Sequence, residues 1–200
     1  MATTMETIAS QPIPSRRLVV AFDPGAATGY ALVKMDGRDI TDAYASTIRA
    51  GSPLRLALEI RDRLLWATSD RAAYGGHLHI AIEGWTWYGG SSERARGLPP
   101  AAYASGFVAG LAEMFRCEHA TAVDEISTLT RPMILRALGL PSNTSKVLAR
   151  ERVRLLIPQP LRKCLDGASE HAYDAVAVAL AADALLANPL AAAKPRRGRS

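Results

Sequence analysis

Disulfide bonds cannot hold this chain together. It has only two cysteines, Cys117 and Cys164, with no metal-ligand spacing between them. They read as reduced thiols, which points to a cytoplasmic protein, in a bacterium or in the host cell if a phage encodes it. Long apolar runs are also missing. No stretch reaches the ~18–20 residues a membrane-spanning helix needs, so no membrane partner is expected. Met1–Ser15 has neither a basic start nor an apolar centre, so it does not read as a secretory signal. Residues 1–15 are expected to be a polar, disordered tail, and 189–200 a basic one. Internal repeats are absent, and 200 residues allow one generous domain or two small ones; one domain over residues 16–188 is expected.

Lysine is scarce too, at four residues, so arginine carries most of the positive charge. That charge is unevenly spread. Residues 1–130 hold 12 Lys/Arg against 14 Asp/Glu, net −2, whereas residues 131–200 hold 12 against 5, net +7. A GC-rich genome would account for arginine over lysine but not for the asymmetry. A basic half beside an acidic cluster suits an enzyme acting on nucleic acid.

The acidic residues that stand out lie at the ends of recognisable elements. Phe22-Asp23-Pro24-Gly25 ends an apolar run, Ile82-Glu83-Gly84 ends a second, and Glu170-His171-Ala172-Tyr173-Asp174 opens an Ala/Val-rich helix. A carboxylate at the end of a buried strand is costly to desolvate unless a cation balances it. Several that converge suggest hard divalent cations, most simply Mg²⁺.

Arg17–Phe22 is a short continuous apolar run, the mark of a central strand covered on both faces. Thr28–Val33 reads as a second strand, Asp36-Gly37 as a hairpin turn, and Ile40–Ile48 as a third strand. Pro53–Thr68 has helical spacing behind a first-turn proline, and His79–Ile82 is the fourth strand. Pro100–Arg116 reads as a helix whose small residues and two glycines, Gly106 and Gly110, let it lie close to a sheet. Ala120–Val123 is expected as a short fifth strand. Ser127–Leu138, Ser145–Leu156 and Ala168–Ala187 are expected as helices. The order predicts an α/β fold with a mixed five-stranded sheet: three antiparallel strands, then parallel ones returning through helices on both faces. Strand four then lies beside strand one, which brings Asp23 and Glu83 to one sheet edge. His171 and Asp174, three apart, share a helical face. His77 and His79 share a strand face, with no third ligand evident.

These motifs resemble the RuvC family of Holliday-junction resolvases, of the ribonuclease-H-like superfamily. That family's first strand ends in Asp-Pro-Gly followed by Thr-Gly-Tyr, matched by residues 23–25 and 28–30. Its fourth strand ends in Ile-Glu, matched by Ile82-Glu83. Its last helix carries Asp or His, two residues, then Asp-Ala and a small apolar run, matched by His171 to Ala179. Ser145-Lys146 resembles a lysine that follows a polar turn. The resemblance spans roughly residues 17–187. It implies a metal-dependent endonuclease that resolves four-way junctions by paired symmetric nicks, leaving 5′-phosphate and 3′-hydroxyl ends. Two divalent ions about 4 Å apart would be held by Asp23, Glu83, Asp174 and His171, with Asp23 bridging. Lys146 would touch the scissile phosphate. Many members have Asp where this chain has His171, a change that favours softer ions such as Mn²⁺. A packing or hydrogen-bonding role for His171 stands beside the ligand role. Two symmetric nicks imply a two-fold homodimer, with the Pro100–Arg116 helix and its Phe107, Leu111 and Phe115 as the expected contact. No branch-migration motor partner is identifiable.

The expected DNA contacts are Arg131, Arg136, Lys146, Arg150 and Arg154, together with a Gly/Ser-rich loop holding Trp85, Trp87, Tyr88, Arg94 and Arg96. Arg150, Arg152 and Arg154 span more than one helical face, so not all can contact one strand. An aromatic of the loop, stacked on an unpaired base, would contribute ~1–3 kcal/mol; packing of Trp85 and Trp87 beneath the next helix is the alternative. A related nuclease acting on other branched DNA or on RNA–DNA hybrid, and a non-catalytic junction-binding protein, also fit the sequence. Sugar-kinase and actin-like ATPases share a strand-Asp-Gly start but need two duplicated lobes.

Overall fold

The computed structural model describes residues 14–84 and 100–188. The apolar run Leu18–Phe22 forms the middle of β1 (Arg16–Asp23) and is wholly buried. A strand apolar on both sides requires cover on both. β2 (Thr28–Asp36) and β3 (Asp39–Ile48) form an antiparallel meander on one side of β1, joined by Gly37 at φ 60°. That backbone conformation suits the Asp-Gly turn. β4 (His77–Gly84) and β5 (Glu125–Thr130) lie parallel on the other side, giving the sheet order β3-β2-β1-β4-β5.

One face carries Leu18, Val20, Phe22, Ile80 and Ile82 and is covered by α1 (Pro53–Tyr74) and α2 (Pro100–Glu118). The opposite face, with Val19, Ala21 and Ala81, is covered by α5 (Glu170–Ala187). α3 (Arg131–Ala137) and α4 (Lys146–Leu156) pack against α5 from outside, followed by a 3₁₀ turn at Gln159–Leu165. This explains why α5 is Ala/Val-rich all round: it is sandwiched, and a helix with apolar residues on every side is a buried one.

Two expectations are corrected. Ala120–Val123 is a turn, and the fifth strand is Glu125–Thr130. Asp124 sets the strand's start by pairing twice with Leu78: its backbone N–H donates to the Leu78 carbonyl at 3.0 Å, and its side chain accepts from the Leu78 N–H at 2.7 Å. As an edge strand, β5 is only partly buried and need not be apolar. The helix expected over Ser127–Leu138 therefore shortens to Arg131–Ala137, ended by Gly139 at φ 74°. The second correction concerns α2. Gly106 and Gly110 point away from the sheet, where an added Cβ would meet nothing. The close contacts are made by Ser105, Val108, Ala112 and Phe115, all buried. The tail expectations for 1–13 and 189–200, and the loop residues Trp85, Trp87, Tyr88, Arg94 and Arg96, lie outside the described residues.

At the far end of the sheet Arg17 and Asp183 form a buried ion pair, 4% and 7% exposed. The guanidinium also donates to the carbonyls of Pro14, Ser15 and Gly37. It thus pins α5 to β1 and to the β2–β3 turn. Removing one partner of a buried pair strands the other charge. Asp183→Ala is expected to lower the unfolding free energy by about 3 kcal/mol in urea titrations. A loss below 1 kcal/mol would show that the three carbonyls alone satisfy Arg17.

Candidate active site

β1 and β4 stay in register from Arg17–His77 to Phe22–Ile82. The next residue on each strand is Asp23 and Glu83, so two carboxylates leave the same sheet end side by side. Alternation along each strand turns both toward the α5 face, the side occupied by Ala21 and Ala81. Ser105 on α2 donates to the Glu83 carbonyl at 3.0 Å, which fixes the end of β4. Gly84 closes the strand, where an added Cβ would lie 2.3 Å from Thr128 Cγ2.

The first turn of α5 supplies the remaining groups. Ser169 is its N-cap: the side chain accepts from the Ala172 N–H at 3.2 Å and is also hydrogen-bonded to Thr47 of β3. The helix start is thereby tied to the sheet. Gly29 lets it come close. A Cβ there would stand 1.9 Å from the His171 carbonyl oxygen and 2.5 Å from its carbonyl carbon, both backbone atoms that cannot swing aside. His171 Nδ1 consequently lies 3.1 Å from Asp23 Oδ2. Asp174, on the same face and buried, sits 3.1 Å from Lys146 Nζ through Oδ2 and 3.8 Å from Arg150 Nε through Oδ1. Lys146 opens α4 behind its cap Ser145.

The carboxylates strain one another electrostatically. Burial pushes the Glu83 carboxyl up to about 8, and repulsion from Asp23 and Asp174 adds to it, with Arg131 opposing. Asp23 is also raised, again first by burial; the His171 hydrogen bond pulls it back and Asp174 pushes it further. Near neutral pH Glu83 therefore keeps a proton and shares it with Asp23. Burial of a carboxyl, with further carboxylates close by, is a usual cause of such shifts.

Among the described residues no group of three His, Cys, Asp or Glu side chains is arranged to enclose one metal ion; Asp174 is turned to Lys146 and Arg150. The donor set nevertheless fits a divalent cation. It offers carboxylate oxygens and one imidazole nitrogen, and its raised carboxyls mark a deficit of positive charge that such an ion fills. Asp23, Glu83, His171 and Asp174 are the residues that would hold it.

Of the expected DNA contacts, Lys146, Arg150 and Arg131 are at this site. Arg154 lies beside Arg162 at the other end of α4, around a surface hollow of about 260 Å³. Arg136 is exposed on α3. Arg152 donates to the Leu138 carbonyl at 3.1 Å and braces α3 against α4. His79 is fully buried and hydrogen-bonded to Ser127 Oγ at 2.7 Å, an ordinary core histidine whose pKa burial lowers to about 4. Sequence reasoning missed two things: the pairing of Arg150 with Asp174, and the work of Gly29. The Thr-Gly-Tyr motif was a signal for the second, since a glycine inside a strand marks a close backbone approach.

No family model matches the chain, and no curated protein does. Among solved structures it is similar to that of Thermus thermophilus RuvC, with 18% identity, a TM-score of 0.57, and coverage of 84% of this chain and 94% of that one. It is similar to T. thermophilus RuvC in complex with Holliday junction substrate, at 21% identity and TM-score 0.50, with the same coverage of 84% and 94%. It is also similar to the yeast mitochondrial Holliday junction resolvase Ydc2, at 11% identity and TM-score 0.52, covering 88% of this chain and 81% of that one. These likenesses establish the fold: the ribonuclease-H-like mixed sheet of the RuvC structures.

Glu83 makes a stability prediction. Its folded pKa lies above the ordinary carboxylate value, so its favourable contribution is complete below about pH 4.5 and is lost as pH rises through 8. In EDTA the protein should lose roughly 2–4 kcal/mol of stability between pH 5 and 8 from this source. Glu83→Gln should remove that slope and be the more stable protein at pH 8. Parallel slopes for wild type and variant in urea titrations at both pH values would refute the assignment.

Proposed function

We propose that this chain is a divalent-metal-dependent endonuclease acting on branched DNA, resolving four-way junctions by paired nicks. The observation that carries this reading is the convergence of Asp23, Glu83, His171 and Asp174 at one sheet end, beside Lys146, Arg150 and Arg131. Carboxylates that repel one another are suited to divalent ions, and the adjoining cations to a phosphate backbone. The fold is that of T. thermophilus RuvC, seen also in complex with Holliday junction substrate, and of the yeast mitochondrial Holliday junction resolvase Ydc2.

Mg²⁺ or Mn²⁺, two ions per site, would supply Lewis-acid stabilisation of the phosphate and a water acidic enough to attack near neutral pH. The residues divide the remaining work. Asp23, flanked by Glu83 and His171, would be the ligand the ions share. Glu83 must lose its proton to become one, so ion binding releases a proton and strengthens as pH rises toward 8. His171 takes the position where a fourth carboxylate would add one more negative charge. Lys146 and Arg150 can hold non-bridging phosphate oxygens and orient the phosphodiester for in-line attack, which leaves 5′-phosphate and 3′-hydroxyl ends.

Two symmetric nicks require two copies. α1 and α2 present a continuous apolar face with Leu58, Tyr103 and Met114 more than half exposed and Phe107 partly so. A groove of about 110 Å³ runs between the helices, lined by Leu58, Leu111 and Met114. An exposed apolar face of this character suits a self-complementary contact. The expected contact therefore moves: Phe115 is core, and Tyr103 and Met114 take its place beside Phe107.

The deciding assay is cleavage of an end-labelled four-way junction against linear duplex, with Mg²⁺, Mn²⁺ or EDTA. Paired nicks confined to the junction, abolished by EDTA and reduced at least ~10³-fold by Asp23→Asn, are expected. Cutting of duplex or of RNA–DNA hybrid instead would replace the substrate. Tight junction binding without cutting would remove catalysis from the reading. In sedimentation equilibrium the wild type should be a dimer at micromolar concentration and Phe107→Glu combined with Met114→Glu a monomer that nicks one strand at a time. A monomeric wild type would exclude this interface.

A further inference from the structure

Both carboxylate oxygens of Asp174 face a cation of the chain. Oδ2 is 3.1 Å from Lys146 Nζ, and Oδ1 is 3.8 Å from Arg150 Nε. Arg150 makes a second pair outward, from Nη2 to Glu170 Oε2 at 2.9 Å. Lys146 and Arg150 stand one turn apart on α4, on the side turned to α5. The Asp174 side chain is only 9% exposed and that of Arg150 18%, whereas that of Lys146 is 55% exposed. The helix carboxylate of the set is thus held by the two cations a phosphate would require.

We propose that Lys146 and Arg150 form an internal clamp on Asp174 that a divalent ion and a DNA phosphate open together, so that metal and DNA loading are positively coupled. The inference rests on the nuclease reading above and adds a binding order to it. An ion arriving alone must take oxygens from two cations and leave them facing it at close range. A phosphate arriving alone must take the cations and leave Asp174 buried without a counter-charge, beside Asp23 and Glu83. Each alone breaks the largely buried Arg150–Asp174 pairing and strands a charge, which is the costly way to open a salt bridge. Arriving together, they exchange partners: the ion takes Asp174, the phosphate takes Lys146 and Arg150, and no charge is stranded. Glu170 gives the exchange a rest position. It lies on the exposed rim of the first turn of α5 and keeps hold of Arg150 when Asp174 lets go, so the guanidinium stays at the mouth of the site. Coupling of this kind is reciprocal: DNA must raise ion affinity by the factor by which the ion raises DNA affinity.

The test uses the full chain, a short four-way junction, and Ca²⁺ under conditions where the same gel shows no cleavage product. Ca²⁺ affinity is measured by calorimetry with and without saturating junction, and junction affinity by anisotropy with and without Ca²⁺. For the wild type both factors should agree and be at least about tenfold. In Arg150→Gln and in Lys146→Gln the free protein should bind Ca²⁺ several-fold more tightly than wild type, and the coupling factor should fall toward one. Arg116→Gln, which removes a distant charge paired with Glu113 on α2, should leave both quantities unchanged. A wild-type factor near one overturns the clamp, as does full coupling retained in Arg150→Gln. Binding of both ligands without coupling would sink the clamp and spare the nuclease reading; binding of neither would sink both.

Discussion

The close seating of α5 on β2 is the constraint on which the candidate site depends. Glycine at position 29 leaves the sheet surface bare at the point where the His171 carbonyl presses down. A methyl group there would overlap backbone, and the helix start would have to lift. His171 would then leave Asp23, and Asp174 would leave Lys146 and Arg150. The Ser169 cap and its bond to Thr47 hold the same junction from the other side, and the Arg17–Asp183 pair holds the far end of the helix. With both ends fixed and its surface sandwiched between sheet and outer helices, α5 has little freedom to rotate. That rigidity holds side chains from distant parts of the chain in a fixed geometry.

The site so built is electrostatically uncomfortable when nothing is bound. Glu83 retains a proton well above its ordinary range because burial and two neighbouring carboxylates oppose its charge. Asp174 is instead flanked by two cations, Lys146 and Arg150. The chain thus uses two devices for one problem: it keeps a proton on the strand carboxylates and holds basic side chains against the helix carboxylate. Both can be displaced, one by a rise in pH or by a cation, the other by an anion. Stability sacrificed at the sheet end is recovered in the apolar layers on either side of β1 and in the ion pair at the opposite pole, roughly 20 Å away along the strand.

The likeness to resolvase structures and the chemistry of the site are independent supports of different reach. Identities of 11–21% with TM-scores of 0.50–0.57 establish a shared chain path. They say nothing residue by residue. The residue-level case rests on where this chain's own side chains stand. Folds of this class carry many chemistries, so it is the site that argues function.

Much is legible in the sequence. Asp23 and Glu83 stood out because an acid directly after a buried apolar run conflicts with desolvation, and such conflicts gather at functional sites. The shared face of His171 and Asp174 followed from helical spacing and their place in a site from the family resemblance, while the strand order followed from short connections and the handedness of parallel crossovers. The fifth strand was not legible, because an edge strand has no need of the continuous apolar run that identifies a central one; Ala120–Val123 had the run, and Glu125–Thr130 had the hydrogen bonds. Nor could spacing show that Lys146 and Arg150 face Asp174 when Arg152 and Arg154 do not, since helical phase gives relative directions and only the docking of α4 on α5 gives the absolute one. Sequence determined the residue types, their periodicity and the conflicts among them. Tertiary structure alone decided distances between residues far apart in the chain, because those follow from how faces pack, and packing is a property of the whole fold.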